Sequence, residues 1–484
     1  MKEIKKNKNK KFTKYIITLA IIFTVTLCTI FILNKKFPSI RTKIFKTKNQ
    51  IVSIFDKREK WITVFVHGSF NSSLGLLSFR KVLKDDLSGS EYSKMVKNLR
   101  KDKFFYQQQP ILQRGLIKVV PSFNGFNKDK IKLAAYPIIA GYEEILNNVN
   151  PKKEKNDFFT FGWSGILSQN ERRKESLRLY NVLCEKIEEY KNQGINPKIR
   201  ILAHSHGGNV SLNLAAINEA SNILKKNLDE KNQTKNIHKT IKYLKKLSSK
   251  KECQKNNGQK KFDYCPQNID LKIDELILMG SPVQQETETL VYSDIFKQVY
   301  SLYSEQDVIQ SMDVFSTKQR SSKQRFDLEK THPNASRFFQ AKIMIDRQLK
   351  DLAKKATGKE SLWEKLFPKK SKDPTHKDLW LLAWSKQFSQ PDFPLSPLPV
   401  VILVPLIVKI INENINLNDI DINLCFENKD KINFFVLEHN KSEIKSQSFL
   451  AKKLIDKIKK KTMRWKPNNL YRNTTYKKIR ASVK

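Results

Sequence analysis

Cysteine is scarce in this chain, and its scarcity excludes one class of fold. Five cysteines in 484 residues are too few for a scaffold held together by disulfides. Cys184 lies within a helical pattern and is expected to be a small core residue. Cys253 and Cys265 are close together in a polar stretch, and no histidine or further cysteine stands beside them at metal-site spacing. We therefore expect no zinc there, although an oxidising compartment could join the two in a disulfide.

Acidic residues and glycine are also scarce. The chain has 48 acidic and 91 basic residues, a formal net charge of +43, and only 14 glycines. Most of the lysines are scattered among asparagine and isoleucine, as compositional bias would place them. Attraction to an anionic membrane surface is the second interpretation. No zinc-finger, helix-turn-helix or aromatic RNA-binding pattern accompanies the charge, so we expect no specific nucleic-acid partner.

The one long uncharged run lies near the N-terminus, from Tyr15 to Leu33. At about 1.5 Å per residue it nearly spans a hydrocarbon core of about 30 Å. A cleaved signal peptide would have a shorter apolar core and a small-residue cleavage site, and neither is present. The run predicts an uncleaved, single-pass anchor. A slight excess of lysine before it predicts that the rest of the chain lies on the outer (periplasmic or extracellular) side.

After residue 60, short apolar runs alternate with helical patterns. This alternation predicts an α/β fold, with a mostly parallel sheet and flanking crossover helices. The runs are rich in β-branched and aromatic residues, as is typical of strands buried on both faces. Strands are expected at 61–66, 157–161, 199–204, 273–279, 297–303 and 338–345, and helices at about 131–147, 171–192 and 207–225.

Composition shifts divide the chain into four parts. Residues 397–411 are apolar but short and contain two prolines, which favours a buried or interfacial helix over a second membrane span. A basic amphipathic helix is expected from about residue 444 to 461. The predicted parts are an anchor segment at 1–33, a basic linker at 34–60, an α/β domain at 61–412 with insertions at 87–130, 224–268 (expected to be surface-exposed) and 347–373, and a hairpin-like segment with a basic tail at 413–484.

The strongest local motif is Ala203-His204-Ser205-His206-Gly207. A β-run ends at the serine and a helical pattern begins directly after it, which is the strand–turn–helix arrangement of a nucleophile elbow. Small residues at Ala203 and Gly207 suit the tight turn, although glycine is commoner at the first of these positions. The turn would aim the amide of His206 and the helix N-terminus at a developing oxyanion. An ordinary serine-glycine turn is the alternative interpretation.

A second turn follows the first strand, in His67-Gly68-Ser69. A glycine here lets the backbone curl so that the amide of Ser69 faces the nucleophile as the second oxyanion donor. His67 is then expected to orient this loop and not to act as a base. His204, which flanks the serine, is expected to pack or bond locally.

A nucleophilic serine needs a carboxylate to orient its base. In this arrangement the acid follows the serine along the chain. Asp307 lies just past the carboxyl end of strand 297–303, where catalytic groups gather in open α/β sheets. We predict Asp307 as the acid, with Glu305 and Asp313 as alternatives.

The base is expected last in chain order. Three histidines follow Asp307. His376 comes after the last predicted strand, on a loop that precedes a helical start, and is our predicted base. His332 is the first alternative, because it precedes strand 338–345 and is early for this order. His439 ends a late hairpin-like segment.

These residues together resemble the α/β-hydrolase superfamily. The chain is most similar to the bacterial lipase and esterase branches that have a Ser-His-Gly-Gly elbow, over about residues 61 to 410. The run Phe161-Gly162-Trp163-Ser164-Gly165, followed by Arg172 and Arg173, also resembles a recurring segment of bacterial lipase-like members. The resemblance implies a triad of Ser205, Asp307 and His376, an oxyanion hole, and neither metal nor organic cofactor.

The predicted anchor and the resemblance together suggest a membrane-anchored serine hydrolase. The expected substrate is a carboxylic ester, either a lipid or another hydrophobic acyl ester, cleaved through an acyl-enzyme. The insertion at 87–130 would cap an acyl pocket. Two alternatives stay open: an acyltransferase with the same triad, and an inactive hydrolase-fold binding protein tethered to the membrane. Acyl-chain length and oligomeric state stay undetermined.

Overall fold

The structure is a computed structural model that describes residues 58–68, 115–121, 135–150, 154–163, 165, 169–226, 234–249, 271–307, 324–327, 331–345, 373–380, 395, 398–425, 431–441 and 443–462. Contacts between Cα atoms divide the chain into two compact units. Lys60–Tyr190 and Pro197–Lys484 form the larger unit, which contains every candidate site residue. The described residues of the other unit are 58–59 and 191–196. The predicted anchor and the two cysteines at 253 and 265 lie outside the described residues.

The described chain is an α/β fold built on one mostly parallel sheet of ten strands. The strand order is β10-β9-β8-β7-β6-β5-β4-β1-β3-β2. The pairs from β4 to β8 and the pair β1–β3 are parallel, whereas β2, β9 and β10 pair antiparallel with their neighbours at the two ends of the sheet. The strands are β1 (Arg58–Val66), β2 (Gly115–Val119), β3 (Asn156–Gly162), β4 (Ile195–His204), β5 (Ile273–Met279), β6 (Phe296–Tyr303), β7 (Phe338–Ile345), β8 (Asp419–Cys425), β9 (Lys431–Glu438) and β10 (Ile444–Ala451).

Helices connect and cover the strands. The α-helices are α1 (Ala135–Val149), α2 (Gln169–Asn192), α3 (His206–Lys226), α4 (Lys235–Ser249), α5 (His376–Trp380), α6 (Val404–Glu413) and α7 (Lys452–Thr462), and short 3₁₀ helices lie at Glu288–Tyr292, Ala335–Arg337 and Val400–Leu403. Apolar side chains of α1, α6 and α7 pack with the central strands in the main buried cluster. α3 and α4 pack against each other.

All six predicted strands and all three predicted helices are confirmed. β5 and β7 have the predicted bounds. All eight side chains of β7 are buried, including those of Gln340 and Lys342. Its apolar residues therefore do not alternate strictly with polar ones, as is expected of a strand covered on both faces of the sheet, and they made the strand recognisable in the sequence.

Four strands were not predicted individually. β2 lies inside the insertion at 87–130, β8 and β9 pair antiparallel within the expected hairpin-like segment, and β10 extends the sheet beyond them. In β8 the polar residues Asp419, Asp421 and Asn423 occupy every second position, and Asp421 and Asn423 are buried. The carboxylate of Asp421 pairs with Lys342 Nζ at 2.8 Å and with His439 Nδ1 at 2.7 Å, which makes its burial tolerable.

The helix expected from residue 444 to 461 is wrong in its first half. Residues Ile444–Ala451 form β10, which pairs antiparallel with β9, and the helix begins only at Lys452. Of the eight residues of β10, only Leu450 is buried. Its local pattern therefore carries little information, and hydrogen bonding to β9 decides its conformation.

The expectation that the whole insertion at 224–268 is surface-exposed is also wrong. α4 lies within it and buries Ile237, Ile241 and Leu244, which recur at helical spacing, while its lysines face outward. The high lysine content concealed an amphipathic helix that packs on α3.

The interpretation of 397–411 as a buried helix is confirmed. The 3₁₀ turn at Val400–Leu403 and the apolar residues of α6 are buried in the main core, and both segments contact α1. Within the part of the chain that the structure describes, no helix is both long and apolar enough to cross a membrane.

Packing of α4 predicts a measurable contribution to stability. Leu244→Ala should lower the free energy of unfolding by about 2–5 kcal/mol, because Leu244 is fully buried and truncation leaves a cavity. Lys242→Ala on the exposed face of the same helix should change it by no more than about 0.5 kcal/mol. Urea unfolding of both variants measures this difference. Equal stabilities would show that α4 is not part of the packed domain.

Candidate active site

Ser205 stands alone between the end of β4 and the start of α3. Its φ of 53° places it in the left-handed region, which a residue with a side chain adopts at a cost of about 1–3 kcal/mol. Its amide donates to the carbonyl of Met279 at the end of β5 (3.0 Å), and its own carbonyl accepts from the amide of Gly208 (2.9 Å). These bonds hold the strained turn, so the geometry at Ser205 is that of the predicted elbow.

Close packing on the end of β1 explains the glycines around the serine. A Cβ on Gly207 would overlap the carbonyl oxygen of His67, and one on Gly68 would lie 2.6 Å from Ser205 Cβ. Small residues at 203 and 207 are expected to suit the tight turn, but the atoms nearest to an added Cβ on Gly207 belong to Val66 and His67 at the end of β1, so packing against this strand end also requires the glycine. A Cβ on Gly208 would likewise collide with the side chain of Ser281. This constraint could not be read from the sequence.

Asp307 and His376 form a buried pair at the carboxyl edge of the sheet. Asp307 is fully buried just past β6, and its Oδ2 accepts a hydrogen bond from His376 Nδ1 at 2.8 Å. His376 is the first residue of α5 and is 9% exposed. Because Nδ1 carries the proton that this bond needs, Nε2 of the neutral ring is free of a proton and can act as a base.

Gly280 makes room for this pair. It follows β5 with a φ of 55°, and a Cβ there would lie 2.6 Å from Asp307 Oδ2 and 3.4 Å from His376 Nδ1. Its neighbour Met279 accepts the hydrogen bond from the amide of Ser205. The ends of β4, β5 and β6 thus bring the serine, the acid and the histidine to one edge of the sheet, where ligands bind in open α/β folds.

His204 has a larger part in this site than local packing. Its Nε2 donates to the backbone carbonyl of His376 at 3.0 Å, and its ring centroid lies 4.4 Å from that of His376. On the ring of Trp380 it stacks nearly parallel, at 5.4 Å and 7°. No pattern in the sequence indicated these contacts, because the partners are 172 residues away.

Burial also sets the ionisation of His204. Desolvation, and secondarily the neighbouring His376, hold the pKa of His204 well below its usual range. The nearby rings of His67 and His206 act in the same direction, while the hydrogen bond to the carbonyl of His376 opposes them. A neutral His204 is the consequence at neutral pH.

His67 holds the loop at the end of β1, as its predicted structural role requires. The amide of Trp163 donates to His67 Nε2 at 3.2 Å, so the ring proton is on Nδ1, which donates to the carbonyl of Gly68 at 2.6 Å. The indole of Trp163 also donates to the carbonyl of His67 at 2.6 Å and stacks on its ring. Ser69, the predicted oxyanion donor from this loop, lies outside the described residues.

His206 is the first residue of α3, so its amide, the predicted oxyanion donor, lies at the N-terminus of the helix. The side chain of His206 is held separately: the fully buried guanidinium of Arg172 donates to its Nδ1 at 3.2 Å and to Gln284 Oε1 at 3.2 Å. Arg172 therefore supports the elbow from α2.

Both alternative bases lie in other surroundings. His332 stacks on Tyr292 at 4.5 Å, and its Nδ1 accepts from the amide of Asn334 at 3.1 Å. His439 pairs with Asp421. The hydrogen bond from His376 to Asp307 distinguishes His376 from both.

The alternative acids differ in the same way. Glu305 Oε1 lies 3.4 Å from Lys342 Nζ, and its side chain is 35% exposed. Asp313 lies outside the described residues. Asp307 is the carboxylate that the structure places on His376.

Comparison of the chain with protein-family models, with curated proteins and with solved structures finds no match in any of the three. A function must therefore be inferred from the residues at this edge of the sheet.

The lowered pKa of His204 predicts acid sensitivity. In the unfolded chain His204 binds a proton below its ordinary pKa of about 6.5, whereas in the folded chain it does so only at a lower pH. The free energy of unfolding should therefore be highest above pH 6.5 and fall below it, with His204 contributing up to about 1.4 kcal/mol per pH unit. Urea unfolding between pH 8 and 5 measures the slope. His204→Gln should flatten it, and an unchanged slope would assign the acid sensitivity to other groups.

Proposed function

We propose that this chain is a serine hydrolase of the α/β-hydrolase type that cleaves carboxylic esters. Ser205 is the nucleophile, His376 the general base and Asp307 the acid that orients it. One observation carries most of the proposal: the buried hydrogen bond between His376 Nδ1 and Asp307 Oδ2, at 2.8 Å, at the same edge of the sheet as a serine whose φ is 53°. A serine on a strained turn and a buried His–Asp pair at one edge of the sheet are the parts that activate a hydroxyl nucleophile.

The chain order and the sheet support the same proposal. The serine follows β4, the acid follows β6, and the histidine comes last, on α5. This order in a mostly parallel sheet is that of α/β-hydrolases and differs from the two other common orders of serine hydrolases.

The proposed mechanism begins with proton transfer to His376. Nε2 takes the hydroxyl proton of Ser205 as Oγ attacks the acyl carbon. Asp307 stabilises the resulting imidazolium through Nδ1, and the amides of His206 and Ser69 donate to the oxyanion. The imidazolium then gives its proton to the departing alkoxide, which leaves as an alcohol. Water, deprotonated by the same nitrogen, attacks the acyl-enzyme, and the imidazolium returns this proton to Ser205 Oγ as the carboxylic acid leaves.

The substrate class follows from the predicted anchor at 1–33. A domain held at a membrane meets lipids and other hydrophobic esters first, so we propose such acyl esters as substrates, on the outer side of the membrane. The mechanism uses the chain's own side chains and amides at each step.

The nucleophile assignment predicts the outcome of two serine substitutions. Ser205→Ala should abolish labelling by a fluorophosphonate probe and lower p-nitrophenyl ester hydrolysis by about 10³-fold or more, because no hydroxyl is left to attack. Ser221→Ala, at a buried serine further along α3, should leave both unchanged. Gel fluorescence and a spectrophotometric assay give the two measurements. Labelling of the Ser205→Ala protein at the wild-type level would exclude Ser205 as nucleophile.

The acid assignment predicts a contrast between two buried aspartates that each bind a histidine. Asp307→Asn should lower the hydrolysis rate by about 10⁴-fold, because the amide cannot hold the imidazole tautomer or stabilise its charge. Asp421→Asn disturbs the corresponding pair with His439 and should leave the rate per folded molecule unchanged. Steady-state rates, normalised by folded fraction from circular dichroism, separate the two. Equal losses would point to destabilisation and not to a catalytic acid.

A further inference from the structure

His204 joins the nucleophile elbow to the short helix that carries the base. It precedes Ser205 directly along the chain, and its Nε2–H donates to the carbonyl of His376 at 3.0 Å. One covalent step and one hydrogen bond therefore separate the serine's backbone from that of the histidine.

The ring of His204 makes a second connection to the same helix. It contacts two rings of α5, with centroids 4.4 Å from that of His376 and 5.4 Å from that of Trp380. Trp380 in turn contacts Phe65 of β1 at 5.9 Å. The first and last residues of α5, His376 and Trp380, thus both contact the ring of His204.

The surroundings of His204 fix one tautomer. A carbonyl oxygen only accepts, so the proton must be on Nε2, and Nδ1 faces the backbone of Gly68, where an added Cβ would lie 3.2 Å away. Burial keeps the ring neutral, so Nε2 stays protonated and donates to the carbonyl of His376 throughout the neutral pH range.

α5 has only five residues, and isolated helices of this length are unstable in water, so its position depends on its contacts with the rest of the domain. Leu379 and Trp380 anchor its last turn in the core, and His204 bonds to its first residue. The hydrogen bond to Asp307 holds the imidazole ring, but not the backbone that determines where Nε2 points. A displacement of about 1 Å at the base can lower a rate by about 10²-fold.

We infer that His204 is a positioning residue: it holds α5 against the elbow and so fixes the position of the base relative to the nucleophile. This inference rests on the proposed function, because it assigns a task to His204 within that mechanism. His204 does not touch the reacting atoms; it acts through His376.

Two substitutions in the full chain separate the hydrogen bond from the ring. His204→Phe keeps an aromatic ring against His376 and Trp380 but removes the donor. His204→Gln keeps an N–H near the position of Nε2 but removes the ring. His332→Phe is the matched control, since His332 also stacks on an aromatic ring (4.5 Å) away from the Asp307–His376 pair.

His204→Phe should lower kcat for a p-nitrophenyl ester by about 10- to 100-fold with KM unchanged, because only the position of the base is altered. Hydrogen exchange of the Leu379 amide, which bonds to the carbonyl of Thr375 at 3.2 Å, should accelerate about tenfold as α5 loosens. His204→Gln, which keeps the donor, should have a kcat within about threefold of that of the wild type. His332→Phe should change neither measurement.

Unchanged kcat and exchange in folded His204→Phe would overturn the positioning role while leaving the proposed function intact. An active-site serine that no fluorophosphonate labels in the wild type would instead refute the proposed function. If His204→Phe does not fold, His204→Asn, whose shorter amide cannot reach the carbonyl, takes its place with the same expected losses. A wild-type kcat in that variant would equally overturn the positioning role of His204.

Discussion

The hydrogen bond between Asp307 and His376 is the interaction on which the rest of the site depends. A carboxylate as deeply buried as Asp307 is costly unless a donor compensates it, and His376 supplies that donor at 2.8 Å. The pair in turn fixes the imidazole tautomer and leaves Nε2 available as a base. Without it, the strained serine at the end of β4 would be only an unusual turn.

Close approach of backbones makes this arrangement possible. The chain has only 14 glycines, yet four of them, at 68, 207, 208 and 280, lie where an added Cβ would collide with a neighbouring site segment. At Gly68 and Gly280 the nearest colliding atoms belong to Ser205 and Asp307 themselves. In a chain with so little glycine, these positions show where the ends of β1, β4 and β5 must meet without side chains between them.

Histidine is concentrated in the same way. Four of the seven histidines, at 67, 204, 206 and 376, lie around the elbow. The neighbouring rings add to the burial that keeps His204 neutral, because imidazolium charges repel each other. Each ring has a partner that fits one tautomer: a backbone amide and carbonyl for His67, a carbonyl for His204, a guanidinium for His206 and a carboxylate for His376.

The sequence by itself determined the elements whose signals are local. Central strands such as β5 and β7 are short runs made mostly of apolar residues, and the elbow is a strand, a serine and a helix in direct succession. The order of Ser205, Asp307 and His376 was also readable, because it follows the direction of the chain. Tertiary structure alone decided what depends on distant partners. β10 is a strand because it pairs with β9, and α4 is buried because α3 covers its apolar stripe. The hydrogen bond to Asp307, 69 residues away, separates His376 from His332, and His204 bonds to the carbonyl of His376 across 172 residues. Contacts over such separations leave no local pattern, since they form only when the sheet brings strand ends together.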